Sequence, residues 1–502
     1  MNIRFLSLIF FTGVLITDVF AGTGDTIKLK NGRKIEGRLK EISNEDVVLE
    51  ISGGVVCFAR EEVGKINGLS IEEFQAKSSI KDTVVSRDKN KAAPSFFQDG
   101  LNFVSKTRRL LFKNTPEMEI TSPGGIKEQR KKAVEKYCGK EKLQSRAKLL
   151  LKLGVIIDSE DYIRQLLESA AEEAASYYSF DDKKMYAAED VLRDAIPILP
   201  NINIMRELVY ALQDQYYKIR NLEGMALLKN EDKDLAVQSV INGDAILFIY
   251  DAFVRAFKSA GPEAAASVKN LDLRSFVIEK MLSDSKRLKI ENDGTTVFIE
   301  EVLFSSVLGG KFLQYTVNTQ GWKAVEKIYA DLPVSSEQII HPEKYYILRD
   351  NPKEIDFPNA AGILGKSWTK LSQGTLGEFG VYLIGKKFLD ELSNKVMSEG
   401  WGGDRFEFYE EMDTKKTLFL CITKWDSPQE ADEFFSFYKK ILAKKYKQLI
   451  LLRDGVKTKD SARFFQWNTE ERNVYFSKSK DTVVVIEGAP DKLVGSLIEN
   501  FH

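Results

Sequence analysis

The spacing of apolar residues changes character twice along this chain, and no one kind of element can satisfy all three patterns. In "DTIKLKNGRKIEGRLKEISNEDVVLEISGGVVCFAREEVGKI", Ile27, Leu29, Ile35, Leu39, Val47, Leu49, Ile51, Val56, Phe58 and Val63 alternate with polar residues in short runs. Asn31-Gly32 and Gly53-Gly54 suit tight hairpin turns, so residues 25–68 predict about five short strands closed into a small barrel. Periodicity is lost over residues 69–100, where Ser, Lys and Asp accumulate as they do in a linker. Helical spacing dominates 101–395, in "DYIRQLLESAAEEAASYY", "AAEDVLRDAI", "IMRELVYALQDQYYKI" and "DLAVQSVINGDAILFIYDAFVRAFKSAG".

From 396 to 502 the alternation returns in "RFEFYEE", "TLFLCITKW", "ARFFQW", "RNVYFSKS" and "DTVVVIEG". Helices are expected from about Ser427 to Gln448 and from about Asp491 to Phe501. On the first of these, Lys439, Lys440, Lys444, Lys445 and Lys447 predict a solvated face opposite Phe434, Phe437, Tyr438, Ile441 and Leu442. The expected fold class is multidomain α+β: a small N-terminal β-barrel, a mainly helical domain, and a C-terminal α+β domain on a five-stranded sheet. No repeat at a solenoid period is present.

A chain of 502 residues has room for several cores. With 73 basic and 74 acidic residues the formal net charge is -1, which gives no global attraction for nucleic acid or an anionic membrane. Cys57, Cys138 and Cys421 are odd in number and far apart, so packed cores rather than disulfides must hold the fold. The first residues read as an export signal over 1–21: Arg4 in a short n-region, "FLSLIFFTGVLI" as the apolar run, and Val19-Phe20-Ala21 before the cut. Such a run is short for a bilayer, so cleavage with no stable membrane span afterwards is expected, and an uncleaved anchor is the alternative. The destination is then periplasmic, extracellular or envelope-associated.

Leu29, Asn31, Gly32, Ile35 and Gly37 form an L-x-N-G-x-x-I-x-G opening that resembles SH3-like or Sm-like modules. Its evenly mixed Lys and Glu argue against an RNA-binding face and for a peptide-contact module. Four further stretches resemble a family of secreted bacterial and archaeal metallopeptidase-like proteins. They are "LGVIIDSEDYIRQLLESAAEEAASYYSFDDKKMYAAED" (Leu153 to Asp190), "RELVYALQDQYY" (Arg206 to Tyr217), "GWKAVEKIYADLPVSSEQIIHPEKY" (Gly321 to Tyr345) and "GWGGDRFEFYE" (Gly400 to Glu410). Their order and spacing match the family over roughly residues 150 to 500.

The resemblance implies a gluzincin-like arrangement, in which a helix reading H-E-L-x-H-A-L-Q-D-Q supplies two His and a Glu in a later V-E-G-D-A segment supplies the third zinc ligand. Carried over, those ligand positions fall on Arg206, Tyr210 and Asn242, while Glu207 keeps the place of the family's catalytic Glu. Arg does not lose its proton, Tyr does so only near pH 10, and an Asn amide is a poor zinc ligand. The chain's two His are His341 and His502, so no local rearrangement restores a two-His site. No metal and no cofactor are expected. The Arg206 guanidinium is expected to act as a stand-in cation, paired with Glu207 or Asp244.

Around this degenerate site, Gln213, Asp214, Asp244, Glu337, His341, Glu343 and Tyr345 are the candidate pocket residues. His341 with Glu337 and Glu343 offers either a lone metal or acid–base site or a structural contact. Trp401, Asp404 and Arg405 form the tail motif, with an ion pair expected between the last two. The expected function is binding or scaffolding by an exported, catalytically inactive metallopeptidase-like protein, with a protein or peptide as partner. Two alternatives stay open: a hydrolase with an altered, non-zinc site around Glu207, and a structural envelope protein whose cleft is filled.

Overall fold

The computed structural model describes residues 25–42, 46–51, 54–73, 95–172, 176–188, 201–219, 230–277, 293–456 and 462–501. The export signal, most of the linker and most of the expected helix in "AAEDVLRDAI" lie outside these residues. The described residues form two compact units, one drawn from 25–73 with 253–271 and the other from the remainder.

In the smaller unit five strands appear as expected: β1 (Asp25–Leu29), β2 (Lys34–Ile42), β3 (Asp46–Ile51), β4 (Gly54–Ala59) and β5 (Val63–Ile66). They form an antiparallel sheet in the order β4-β3-β2-β1-β5. Ile27 with Leu29 and Val47 with Leu49 are buried at alternate positions, as period-2 spacing requires, and Val63 and Ile66 at the two ends of β5 join them. Asn31 Oδ1 accepts from Arg33 N at 3.0 Å, fixing the β1–β2 turn. β4 and β5 are the two edges, so no ladder among the described residues closes the expected barrel.

The larger unit begins with α1 (Ser95–Arg108), whose first six residues lie in the expected linker and which runs on into the expected helical region, then β6 (Glu117–Thr121), α2 (Pro123–Cys138), α3 (Lys140–Lys152) and α4 (Ser159–Glu172). β7 (Ser176–Ser179) and β8 (Lys184–Ala188) join β6 in a three-stranded sheet, order β6-β8-β7, within the stretch expected to be helical. The β-forming "SYYS" follows an Ala-rich helical run, and only its pairing with β8 makes it a strand. Next come α5 (Ile202–Tyr217), α6 (Glu231–Ser259), α7 (Asp293–Leu303), a π-helical turn (Phe304–Leu308), α8 (Gly309–Gln320), α9 (Val325–Ala330), α10 (Ser336–Ile340) and α11 (Pro342–Tyr346).

The tail is a seven-stranded antiparallel sheet rather than a five-stranded one. Its strands are β9 (Trp368–Gly374), β10 (Trp401–Glu411), β11 (Thr417–Trp425), β12 (Leu449–Val456), β13 (Arg463–Thr469), β14 (Arg472–Ser479) and β15 (Thr482–Ala489), in the order β12-β13-β14-β15-β11-β10-β9. The two unforeseen strands are the two edges: β9 is mostly polar, and β12 starts directly after the expected helix and is mostly exposed. Helices α12 (Ala360–Leu364), α13 (Gly377–Lys386), α14 (Glu391–Ser398), α15 (Pro428–Lys445) and α16 (Asp491–Asn500) complete the unit. One face of the sheet packs Phe406, Phe419 and Phe476 with Phe434 and Tyr438 of α15 and Leu149 and Tyr162 of α3 and α4, so helical region and sheet share a core. The other face packs Tyr409, Leu420 and Ile486 with Leu364 and Leu497.

Lys445 departs from the solvated face expected on α15. It lies seven residues after Tyr438, two turns along the same buried stripe, and its ammonium bonds Glu487 of β15 at 2.6 Å. Tyr438 and Tyr446 hydroxyls donate to the same carboxylate, each at 2.5 Å.

α6 and α8 come together at glycines. A Cβ at Gly243 would lie 2.3 Å from the carbonyl carbon of Gly309, and one at Gly309 would lie 2.0 Å from the Ser239 oxygen. Because backbone stands on both sides, little can yield. Gly243→Ala is therefore expected to destabilise by roughly 2 kcal/mol or more in chemical denaturation. Gly495→Ala, at an exposed position of α16 with open space around it, should instead gain about 0.5–1 kcal/mol.

Candidate functional site

Asn201 starts α5: its Oδ1 accepts from Asn203 N at 3.0 Å and Ile204 N at 3.3 Å. Ile204, Leu208, Ala211 and Leu212 anchor the buried face and carry Glu207 inward, where it is 2 % exposed. Both of its oxygens are taken. Arg206 Nε donates to Oε1 at 2.8 Å, and the backbone N–H of Tyr178 in β7 donates to Oε2 at 2.8 Å. Tyr210 and Asn242 meet each other: the Tyr210 hydroxyl donates to Asn242 Oδ1 at 3.1 Å, and Asn242 Nδ2 donates to Ser305 of the π-helical turn at 3.2 Å. Phe180 packs edge-to-face with both Tyr178 and Tyr210.

Arg206 is thus paired with Glu207, and Tyr210 with Asn242 and on to Ser305, so the groups these three residues offer are a guanidinium, a phenol and an amide. That donor set does not fit zinc, which takes imidazole, thiolate or carboxylate.

The expected pairing of Arg206 extends to Glu207 but not to Asp244. Residues 242 and 244 are about 200° apart around a helix, so Asp244 faces away from Asn242. Asp244, fully buried, pairs bidentately with Arg108 of α1, with Nη2 to Oδ2 at 3.1 Å. Gln213 Nε2 and the Tyr329 hydroxyl also donate to Oδ2, each at 3.0 Å. Arg108 lies over the Trp322 ring, 4.9 Å from its centroid. Burial works against the Arg108 charge, and Asp244 beside it outweighs that, holding its proton more tightly than usual.

The candidate residues do not converge on one pocket. Asp214 lies two turns along α5 from Glu207, accepting from the Tyr178 hydroxyl at 2.9 Å and Lys183 Nζ at 2.5 Å. Tyr345 gives its hydroxyl to the Asp331 carbonyl at 2.6 Å. His341 meets Glu337 only through the backbone, its N–H on the Glu337 carbonyl at 2.8 Å, and its imidazole is turned elsewhere. Its Nε2 meets Glu378 of α13 at 3.0 Å, while exposed Glu343 stands 3.8 Å from Nδ1. Glu378 was not visible as a partner, because it lies 37 residues along the chain.

The "SSEQIIHPEKY" and "GWGGDR" stretches do come together. Ser335 caps α10, and Lys344 Nζ bonds Glu337 Oε1 and Asp426 Oδ2, both at 2.6 Å, with Asp350 Oδ2 at 3.4 Å. Asp404 takes the N–H groups of Leu376 and Gly377 at 2.8 and 2.9 Å, starting α13, and the Trp401 indole N–H at 2.9 Å. The expected Asp404–Arg405 ion pair is not formed. Consecutive strand residues point to opposite faces, and Arg405 turns out to lie over Phe357. Asp232 of α6 approaches the same junction, with Oδ1 accepting from Ser336 N at 3.0 Å. A Cβ at Gly377, whose φ is +72°, would lie 1.8 Å from that oxygen.

This junction gathers buried acids whose protons are held tightly. Burial pushes the Glu337 carboxyl up to about 8, although Lys344 opposes the shift, and pushes Asp404 up to about 6 against three donors. Burial also raises Asp232 and Glu378, and the hydrogen bond to Glu378 raises His341.

Residues 368–497 match a domain of unknown function (DUF8575), from the first residue of β9 into α16. No curated protein and no solved structure matches the chain. Among the described residues no helix is long and apolar enough to cross a membrane.

Two outcomes follow. Folded values above unfolded ones mean that the folded chain binds more protons. The stabilisation is full below the unfolded values, near 4 for the acids, and is lost as pH rises through about 6 for Asp404 and about 8 for Glu337. His341 acts in the same sense, its share being lost as pH rises through its raised folded value. The melting temperature should therefore rise as pH falls from 8.5 towards 5, and Glu337→Gln should flatten the upper part of that slope. Separately, Asp244→Ala, which strands buried Arg108, should cost about 3–5 kcal/mol in urea unfolding.

Proposed function

We propose that this chain is an exported, non-catalytic relative of the gluzincin-like metallopeptidases, with a helical frame that binds or scaffolds a peptide or protein. One observation supports the reading: Arg206, Tyr210 and Asn242, which the resemblance sets at the three ligand positions, are engaged in hydrogen bonds, Arg206 with Glu207, and Tyr210 with Asn242, which reaches on to Ser305. Without a bound metal to lower the pKa of water, Glu207 has no activated nucleophile to deprotonate, and both its oxygens are engaged.

Among the described residues the altered-hydrolase reading has one oxygen-rich group to rest on, Glu337, Asp350 and Asp426, whose oxygens lie close enough together to hold an ion. Lys344 already supplies the cation there, so a divalent ion would have to displace an ammonium bonded to two of the three. The aromatic packing around Glu207 favours a filled centre, and a cavity farther along α5 gives a binding protein somewhere to bind.

The test is metal content after dialysis against zinc, with cleavage of an unstructured protein assayed in parallel. The wild type is expected to hold no stoichiometric zinc and to cut nothing. A triple variant, Arg206→His with Tyr210→His and Asn242→Glu, is expected to take up one zinc per chain. Stoichiometric metal with chelator-sensitive cleavage in the wild type would overturn the proposal.

A further inference from the structure

A cavity of about 430 Å³ opens at the C-terminal end of α5, lined by Asn114, Thr115, Tyr178, Lys183, Asp214 and Lys218 among others. Its wall is fixed before anything binds. Gln215 Oε1 accepts from Lys113 N at 2.8 Å and Asn114 N at 3.3 Å, and its Nε2 donates to the Asn114 carbonyl at 2.8 Å. Lys113 Nζ returns to the Gln215 carbonyl at 2.9 Å, and the Tyr216 hydroxyl donates to the Leu111 carbonyl at 2.8 Å. Five bonds thus tie the loop before β6 to the helix end, which reduces the ordering cost that a ligand would meet.

The charges are unbalanced. Asp214 is the one carboxylate among the lining residues, and it is engaged by Lys183 and the Tyr178 hydroxyl. Neighbouring acids are turned to other partners: Glu117 to Lys184 at 2.8 Å, Asp181 to Lys136 at 2.9 Å, and Asp182 to the Ser179 hydroxyl at 2.8 Å. Lys218 forms no ion pair among the described residues. It is exposed at the rim, in the left-handed conformation that ends α5, with its backbone N–H on the Asp214 carbonyl at 3.1 Å.

We infer that this cavity binds a carboxylate of an acidic peptide, with Lys218 as its counter-charge and Asn114 and Thr115 as neutral donors beside it. A carboxylate fits better than a phosphate, because the C-terminal end of α5 and Asp214 both add negative potential that a dianion would meet. The volume suits one or two residues of an extended chain. This rests on the reading of the protein as a binder, but it fails independently: absence of zinc says nothing about Lys218.

The experiment is fluorescence anisotropy at low salt with the full mature chain and a labelled Gly/Ser peptide ending in two glutamates. A version with an amidated C-terminus and one with glutamines in place of the glutamates separate a terminal carboxylate from a side-chain one. The expected result is binding that weakens with salt and falls about tenfold or more in Lys218→Glu, as loss of a charge-assisted contact requires. Lys447→Glu, distant in sequence and on the tail, should bind as wild type does. Thermal melts confirm folding, and Lys218→Gln serves if the charge reversal does not fold. Unchanged affinity in the folded Lys218 variant, equal binding of an amidated glutamine version, which has no carboxylate at all, or no binding by the wild type would each overturn the inference.

Discussion

The buried pair of Arg108 and Asp244 is the contact on which the helical frame depends. Two charges removed from water are stable only together and only when their remaining hydrogen-bonding capacity is met. Here Gln213 and Tyr329 meet it on the acid side, and the Trp322 face covers the guanidinium. These residues come from α1, α5, α6, α9 and the turn before α9, so one pair determines how five segments meet. The cluster at Arg206, Glu207, Tyr210 and Asn242 is held in place by the same two helices, α5 and α6.

A second polar centre joins the helices to the sheet. Lys344 links α10 and α11 to Asp426 at the end of β11, while Asp404 in β10 starts α13, whose Glu378 meets His341. The two stretches with the most distinctive sequences therefore serve one joint. Motifs such as "HPEKY" and "GWGGDR" carry few groups that meet an open cavity and many that end helices or pair across elements. Their residue types read naturally as architecture.

What was legible in the sequence was what local spacing determines. The five N-terminal strands, the long helices around "RELVYALQDQYY" and "VINGDA", and β10, β11, β13, β14 and β15 follow from period-2 or period-3.6 patterns. The edge strands β9 and β12 were hidden because an edge needs only one partner, and their sequences are polar or continuous with a helix. β7 was hidden because pairing, not composition, makes it a strand. At the site, the Arg206–Glu207 contact joins adjacent residues and was readable. The partners that complete it come from afar: Tyr178 reaches Glu207 across 29 positions, Arg108 reaches Asp244 across 136, and Lys344 reaches Asp426 across 82. Nothing in the spacing of one sequence reports such closures.

Tyr178 ties the polar cluster at Glu207 to the cavity, since its backbone N–H holds Glu207 and its hydroxyl holds Asp214. Those acids are seven residues apart, two turns and about 10 Å along α5. One residue, through its backbone and its side chain, therefore gauges the helix at two points, and the alignment of β7 along it is set to a single residue. A slip of one position in either element would leave two carboxylates short of a donor at once. Insertions and deletions between β7 and α5 can be absorbed only in the connecting segment, whatever freedom the rest of the surface has to vary.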